Sequence, residues 1–148
     1  MQSPTVEQLI PTLQISIGPV ILISGIGLLL LSMTNRFGRT IDRARELERA
    51  RRTATGADVA RIEEQIAIIA GRGVTLRRAI FLATVSVLLA SVLIISLFIM
   101  ALLQVEAAWL ITLIFVACML TLIGALIDSI RDINQSLHAL KLELGQGS

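Results

Sequence analysis

The chain of 148 residues has few of the side chains on which enzymes depend. It contains one cysteine, one histidine and no tyrosine, and aromatic residues make up 3% of it. One cysteine excludes an intrachain disulfide, and neither Cys118 nor His138 has a companion at the spacing of metal ligands. The sequence also lacks a glycine-rich phosphate loop, an HExxH motif and a CxxC motif. We therefore expect a protein that is not an enzyme and holds no metal or other cofactor.

Charged residues are absent from three long stretches. Residues Gln8–Asn35, Ala79–Val105 and Ala107–Ile127 comprise 28, 27 and 21 positions without an acidic or basic side chain. Because about 20 apolar residues cross the hydrocarbon core of a bilayer as a helix, three transmembrane spans are predicted and an ordinary soluble domain is excluded. Coupled transporters use ionisable groups in mid-membrane, and these stretches contain none, which disfavours active pumping.

The predicted fold is all-α, a three-span transmembrane protein whose long helices extend into a cytoplasmic helical stalk. Apolar residues recur at heptad spacing before the second span, from Val59 to Ile80, and after the third, from Leu126 to Leu144. Since an apolar stripe in water must be buried, both stripes predict helix packing outside the membrane. The predicted single membrane domain, 1–148, comprises span one (12–35), a cytoplasmic helical hairpin (36–78), span two (79–104), span three (107–128) and a cytoplasmic tail helix (129–148).

The distribution of cations predicts how the chain crosses the membrane. All 13 basic residues lie in Arg36–Arg78 and in the tail, at Arg131 and Lys141. Short loops rich in Lys and Arg stay on the cytoplasmic side. We therefore expect the amino terminus outside, a tight outer turn near Glu106, and the carboxyl terminus in the cytoplasm. The first span lacks a basic start and is too long for a signal peptide, so it is expected to be retained.

Small and polar residues in span one favour a passive pore. Pro19 is expected to kink the helix and to free the carbonyl of Ile15, which in lipid requires a protein or water partner. Around the axis of a cyclic homo-oligomer, one stripe of this span would form a wet vestibule above an apolar constriction. The alternative is ordinary packing, with hydroxyls bonded to the preceding turn. The predicted pore-lining residues are Thr12, Ser16, Pro19, Ile23, Gly27 and Leu30.

Small residues also form rows on the other two spans. Such rows allow helices to approach each other closely in lipid. They favour either a homo-oligomer or close packing within one chain, and the sequence leaves both open. The rows comprise Ala79, Ala83, Ser86, Ala90 and, later, Ala101 on span two, and Ala117, Thr121, Gly124 and Asp128 on span three.

Three arginines follow span one on a single helical face. Arg36, Arg39 and Arg43 are spaced by three and four residues. They are candidates for binding anionic lipid headgroups, for lining an inner mouth that favours anions, or for structural ion pairs with Asp128 and Asp132. All eleven cations of this loop are arginine, which favours forked contacts to phosphate or carboxylate. Nucleic acid is not an expected partner, because six acidic residues are interleaved and no aromatic platform exists.

A resemblance to a known family rests on Ile17–Val20, Leu28–Leu31, Thr34–Arg36, Arg39 and Asp42–Arg45. Over most of its length the chain resembles the bacterial membrane family called domain of unknown function 2721. The arginine-containing block is the specific part, since the second and third spans are generic. The resemblance implies a bacterial inner-membrane protein and carries no established activity, so no catalytic residue is transferred.

Two functions are predicted. The first is an oligomeric integral membrane protein acting as a passive pore or ion channel, with span one lining the axis. The alternative is a non-catalytic membrane scaffold or accessory subunit that binds a cytoplasmic partner or anionic lipid. The expected partners are the lipid bilayer, anionic headgroups and further copies of the chain.

Overall fold

The computed structural model describes residues 6–104 and 107–145, with side chains described for 10–104 and 107–134. These residues form three α-helices and no strand: α1 (Val6–Thr53), α2 (Ala57–Leu103) and α3 (Ala108–Gly145). The fold is all-α, as the sequence predicts. The helices contain 48, 47 and 38 residues. At about 1.5 Å per residue, each exceeds the roughly 30 Å thickness of a bilayer core.

Each helix contains a segment long and apolar enough to cross a membrane, as predicted. Helices suit this environment because their backbone groups bond internally and leave none for lipid to satisfy. Large apolar side chains such as Leu28, Leu88 and Leu120 are exposed on the surface of the chain. In a bilayer these side chains face acyl chains rather than water, so their exposure costs little.

The helix ends follow from local chemistry. Arg51 and Arg52 lie in the last turn of α1, where their positive charge interacts favourably with the partial negative charge of the helix terminus. Gly56 has φ of 65°, a left-handed conformation that glycine adopts without a Cβ clash, and α2 begins at the next residue. Gln104 has φ of 52° and ends α2. The outer turn predicted at Glu106 lies outside the described residues.

Two compact units make up the chain. Unit 1 comprises Met1–Leu30 and Leu82–Ile123, and unit 2 comprises Leu31–Phe81 and Gly124–Ser148. Each contains segments of all three helices.

Unit 1 is packed mainly through small side chains. Ser86 and Cys118 are fully buried and bond reciprocally between α2 and α3. The Ser86 hydroxyl donates to the Cys118 carbonyl at 3.0 Å, and the Cys118 thiol donates to the Ser86 carbonyl at 3.2 Å. Ala83 and Ala90 are also fully buried. This part of the predicted small-residue row therefore packs within one chain, which is the second of the two alternatives.

Unit 2 has an apolar core that includes Met33, Leu47 and Leu76. The heptad stripe of α2 turns inward, with Leu76 buried and Ile62 and Ile69 partly buried, so its predicted burial is confirmed. The stripe predicted for the tail does not turn inward within the chain where it is described, because Ile130 and Ile133 are exposed. The face of α3 that turns inward instead is the neighbouring one, which carries Ala125, Asp128 and Asp132.

Candidate functional site

Asp132 joins the three helices of unit 2. Its side chain on α3 is only 2% exposed. One carboxylate oxygen, Oδ2, lies 3.0 Å from Nη2 of Arg36 on α1, and the other, Oδ1, lies 3.7 Å from Nε of Arg72 on α2. Removing a carboxylate from water is strongly unfavourable unless cations compensate for it. The two guanidinium groups provide that compensation, so the burial of Asp132 depends on both neighbouring helices.

Asp128 forms a second cluster one turn earlier on α3. Its side chain is 5% exposed, and its Oδ2 lies 3.2 Å from Nε of Arg78 on α2. Its Oδ1 lies 3.3 Å from Nη1 of Arg131 on the same helix. Both aspartates predicted to form structural ion pairs therefore lie against arginines. The structure brings Arg36 to Asp132 rather than to Asp128, which was the other partner considered for it.

A pocket of about 300 Å³ opens beside the Asp132 cluster, and we call it the arginine pocket. It contains all three of the arginines predicted for an inner mouth or a lipid site. Four guanidinium groups line it against one carboxylate, so positive charge is in excess. The lining residues are Arg36, Arg39, Thr40, Arg43, Ile69, Arg72 and Asp132.

The four arginines of the pocket are held differently. Arg36 and Arg72 contact the buried Asp132, and each side chain is about one-quarter exposed. Arg43 contacts Glu46 at 3.1 Å in a pair that is exposed on both sides. Arg39 is exposed and makes no ion pair or hydrogen bond with the described residues. Two guanidinium groups are thus held in place, and two are available to a ligand.

Helix periodicity explains how the pocket forms. Arg36, Arg39 and Arg43 follow one another at spacings that keep them on one face of α1. On α2, Arg72 is three residues after Ile69, a member of the buried heptad stripe. The sequence pattern did not predict a role for Arg72 or Arg78. The usable signal was their position beside that inward stripe, close to the start of the uncharged segment.

All six residues predicted to line a pore lie within unit 1. Ser16 is 5% exposed, and its hydroxyl donates to the Thr12 carbonyl at 2.7 Å. Pro19 lines a cavity of about 240 Å³ together with Ala90 and Cys118. Among the others, Thr12, Ile23 and Leu30 are partly buried and Gly27 is exposed.

Ser16 thus forms the hydrogen bond that the packing alternative expected. The described part of α1 also continues through Pro11 and Pro19 without a break in helix assignment. Ser16 and Pro19 of the stripe lie against the chain's own helices, whereas Gly27 is exposed. This placement favours packing within the chain over the lining of an axis between subunits.

Three apolar helices and a charged cluster define an all-α, multi-pass membrane protein. Residues 16–142 match the model of the family described as protein of unknown function (DUF2721), and the chain belongs to that family. No curated protein matches the chain, and neither does any solved structure.

Proposed function

We propose that this protein is a non-catalytic membrane scaffold whose unit 2 binds an anionic partner on the cytoplasmic side. The observation that carries the proposal is the arginine pocket, where guanidinium groups outnumber carboxylates four to one. A guanidinium group stays protonated and cannot act as a base, but it binds phosphate or carboxylate through two parallel hydrogen bonds. The site is therefore suited to binding rather than to proton transfer.

The charge distribution supports a cytoplasmic location for unit 2. All 13 basic residues of the chain belong to it, whereas the acidic residues Glu7 and Glu106 belong to unit 1. Arginine-rich short loops remain on the cytoplasmic side of bacterial inner membranes. Anionic lipids of that leaflet attract such segments, by about 1 kcal/mol for each cation near the surface.

Thiol labelling tests the orientation. In a Cys118→Ser background, Thr55→Cys and Ala108→Cys place one cysteine at each of two exposed positions, before α2 and at the start of α3. A membrane-impermeant maleimide is expected to label Ala108→Cys in intact spheroplasts and Thr55→Cys only after permeabilisation. The reverse pattern would place unit 2 outside and contradict the proposal.

Binding is tested by comparing lipid nanodiscs. The protein is expected to melt at a higher temperature in discs that contain phosphatidylglycerol than in discs of phosphatidylcholine alone. The difference should shrink at high salt, because exposed charges are screened. Equal melting temperatures in the two lipids, together with no effect of added inorganic phosphate, would contradict the anion-binding role.

A passive pore formed by a homo-oligomer is the second candidate. It is favoured by Gly18, Gly25 and Gly27 of α1, which are exposed and where an added Cβ would meet nothing within 4 Å. Each glycine in a helix costs about 1 kcal/mol relative to alanine, and close approach of another helix is one use for such positions.

Ion flux separates the two candidates. We expect purified protein in liposomes to give the flux of protein-free liposomes at every voltage and salt concentration tested. Reproducible flux that Gly25→Leu abolishes would favour the pore and reject the scaffold. Leu28→Ala, a change at an exposed position one turn away, is the matched control.

A further inference from the structure

We infer that the arginine pocket is a specific site for a phosphate group, carried either by a lipid headgroup or by a soluble phosphate compound. The inference rests on the proposed anion-binding function and adds the ligand class and the residues that hold it. It distinguishes a built site from a diffuse attraction between arginines and an anionic surface.

Two of the four arginines in the pocket are held in place by Asp132. Asp132 holds Arg36 at 3.0 Å and Arg72 at 3.7 Å, so these two side chains are oriented before a ligand arrives. A guanidinium group has five N–H donors, and two contacts to a carboxylate leave others for a ligand. Prior orientation lowers the entropic cost of binding.

The other two arginines of the pocket, Arg39 and Arg43, are not held by Asp132. Arg39 makes no ion pair or hydrogen bond with the described residues, and Arg43 has only an exposed pair with Glu46. Exposed pairs contribute little stability, so a phosphate group competes readily for Arg43. Arg39 and Arg43 are thus the side chains best placed to close on an anion.

The net charge and the volume of the arginine pocket both suit a phosphate group. One carboxylate among four guanidinium groups leaves room for about three negative charges, and a phosphate ester supplies one or two. The pocket volume of about 300 Å³ is at the lower end of ligand sites and accepts a headgroup or a small phosphate compound. The Asp132 carboxylate repels an anion, but its contacts with Arg36 and Arg72 neutralise it.

The arginines of α1 that line the pocket lie just beyond the uncharged stretch of that helix. Arg36 is the first charged residue after the 28-residue uncharged stretch, and Arg39 and Arg43 follow within two turns. At about 1.5 Å per residue, these positions span about 10 Å beyond the apolar segment, which is the range of the headgroup layer. A lipid phosphate is therefore present at the level of the pocket.

The test compares two double variants of the full-length protein. Arg39→Gln with Arg43→Gln removes the two available arginines of the pocket. Arg45→Gln with Arg49→Gln removes the same charge from the same helix at exposed positions outside the pocket. Each variant is purified in neutral detergent, and binding is measured as the rise in melting temperature with inorganic phosphate and, separately, with phosphatidylglycerol nanodiscs relative to phosphatidylcholine nanodiscs.

We expect the pocket variant to bind the effective probe at least about tenfold more weakly than the wild type, since it loses the charged hydrogen bonds of two guanidinium groups. The control variant should stay within about twofold of the wild type. Stabilisation by nanodiscs alone assigns a lipid headgroup, and stabilisation by free phosphate alone assigns a soluble ligand.

Equal weakening of both variants would overturn the specific pocket and leave the general anion-binding role intact. If neither probe stabilises the wild-type protein, both proposals fail. Should the pocket variant not fold, Arg39→Gln alone replaces it, because the Arg39 side chain makes no ion pair or hydrogen bond with the described residues. An unchanged affinity in Arg39→Gln would then contradict the site.

Discussion

Unit 1 and unit 2 are built from the same three helices but are stabilised by different interactions. In unit 1, fully buried Ala83, Ser86 and Cys118 let helix surfaces meet closely, and the interhelical hydrogen bonds are between uncharged groups. In unit 2, the buried carboxylates of Asp128 and Asp132 are neutralised by arginines, among them Arg78 beside Asp128 and Arg36 beside Asp132. The difference shows how one chain uses shape in its apolar part and charge in its arginine-rich part.

The environment explains this difference. Lipid is as apolar as leucine, so burying apolar surface between helices gains little there and close packing decides stability. A buried ion pair is costly to form, but breaking it by removing one partner is costlier still. Asp128 and Asp132 therefore determine which face of α3 turns inward in unit 2, against the pull of its exposed isoleucines.

The largest expected effect is the loss of Asp132. Asp132→Asn keeps the shape but leaves Arg36 and Arg72 without their carboxylate, so the free energy of unfolding should fall by about 3–5 kcal/mol. Reversible unfolding in mixed detergent micelles measures it. Asp42→Asn is the control, because the exposed 3.7 Å pair between Asp42 and Arg45 should contribute at most about 1 kcal/mol. Similar losses in both variants would contradict a charge-stabilised unit 2.

Overpacking is the corresponding test for unit 1. Ala83 on α2 is fully buried, so Ala83→Leu should force the helices apart and destabilise the protein by about 1–3 kcal/mol. Leu88→Ala, at an exposed position on the same helix, should change the free energy of unfolding far less. Tolerance of leucine at position 83 would mean that unit 1 is loosely packed.

The polar contact of unit 1 should matter much less than the ion pairs of unit 2. Ser86→Ala removes the 3.0 Å hydrogen bond to the Cys118 carbonyl, at an expected cost of about 0.6 kcal/mol, typical of such bonds between membrane helices. The same unfolding assay measures it, with Ser91→Ala as the control because the hydroxyl of Ser91 donates within α2, to the Val87 carbonyl at 2.9 Å. A loss as large as that of Asp132→Asn would remove the contrast between the units.

The smallest effect concerns the exposed pairs of unit 2 and depends on pH. Hydrogen bonding to Arg51 lowers the pKa of Glu48 below its usual 4.5, and Arg51 also contacts Glu63 at 3.2 Å. A lowered pKa means that the contribution of Glu48 is present above the unfolded pKa and is lost as the pH falls through the folded one. The difference in melting temperature between the wild type and Glu48→Gln should therefore shrink as the pH falls below 4.5 and vanish once the pH is below the folded pKa. A difference that persists there would point to packing instead of charge.

Long uncharged stretches predicted the three helices, and helical spacing predicted the shared face of Arg36, Arg39 and Arg43. Both signals are local, and both describe one helix at a time. Asp128 and Asp132 were predicted as ion-pair partners because they lie on the third helix at the depth of the arginines that follow span one.

The residues that the sequence left open depend on how helices face each other. Span one is apolar on every side, so its pattern does not reveal whether Ser16 and Pro19 face the chain or another subunit. The choice of Arg72 and Arg78 as partners depends on the register between α2 and α3, which spacing within one helix does not encode. The stripe of α3 that carries Ile130 and Ile133 stays exposed within the chain, because the buried aspartates lie on the neighbouring face.

The most direct test of charge as the organiser of unit 2 is a double-mutant cycle on Arg36 and Asp132, measured by reversible unfolding in mixed micelles. Arg36→Gln and Asp132→Asn should each lower the free energy of unfolding. The loss in the double variant should be smaller than the sum of the two single losses by about 1–3 kcal/mol. Losses that simply add would show that the 3.0 Å contact between these side chains contributes nothing to the fold.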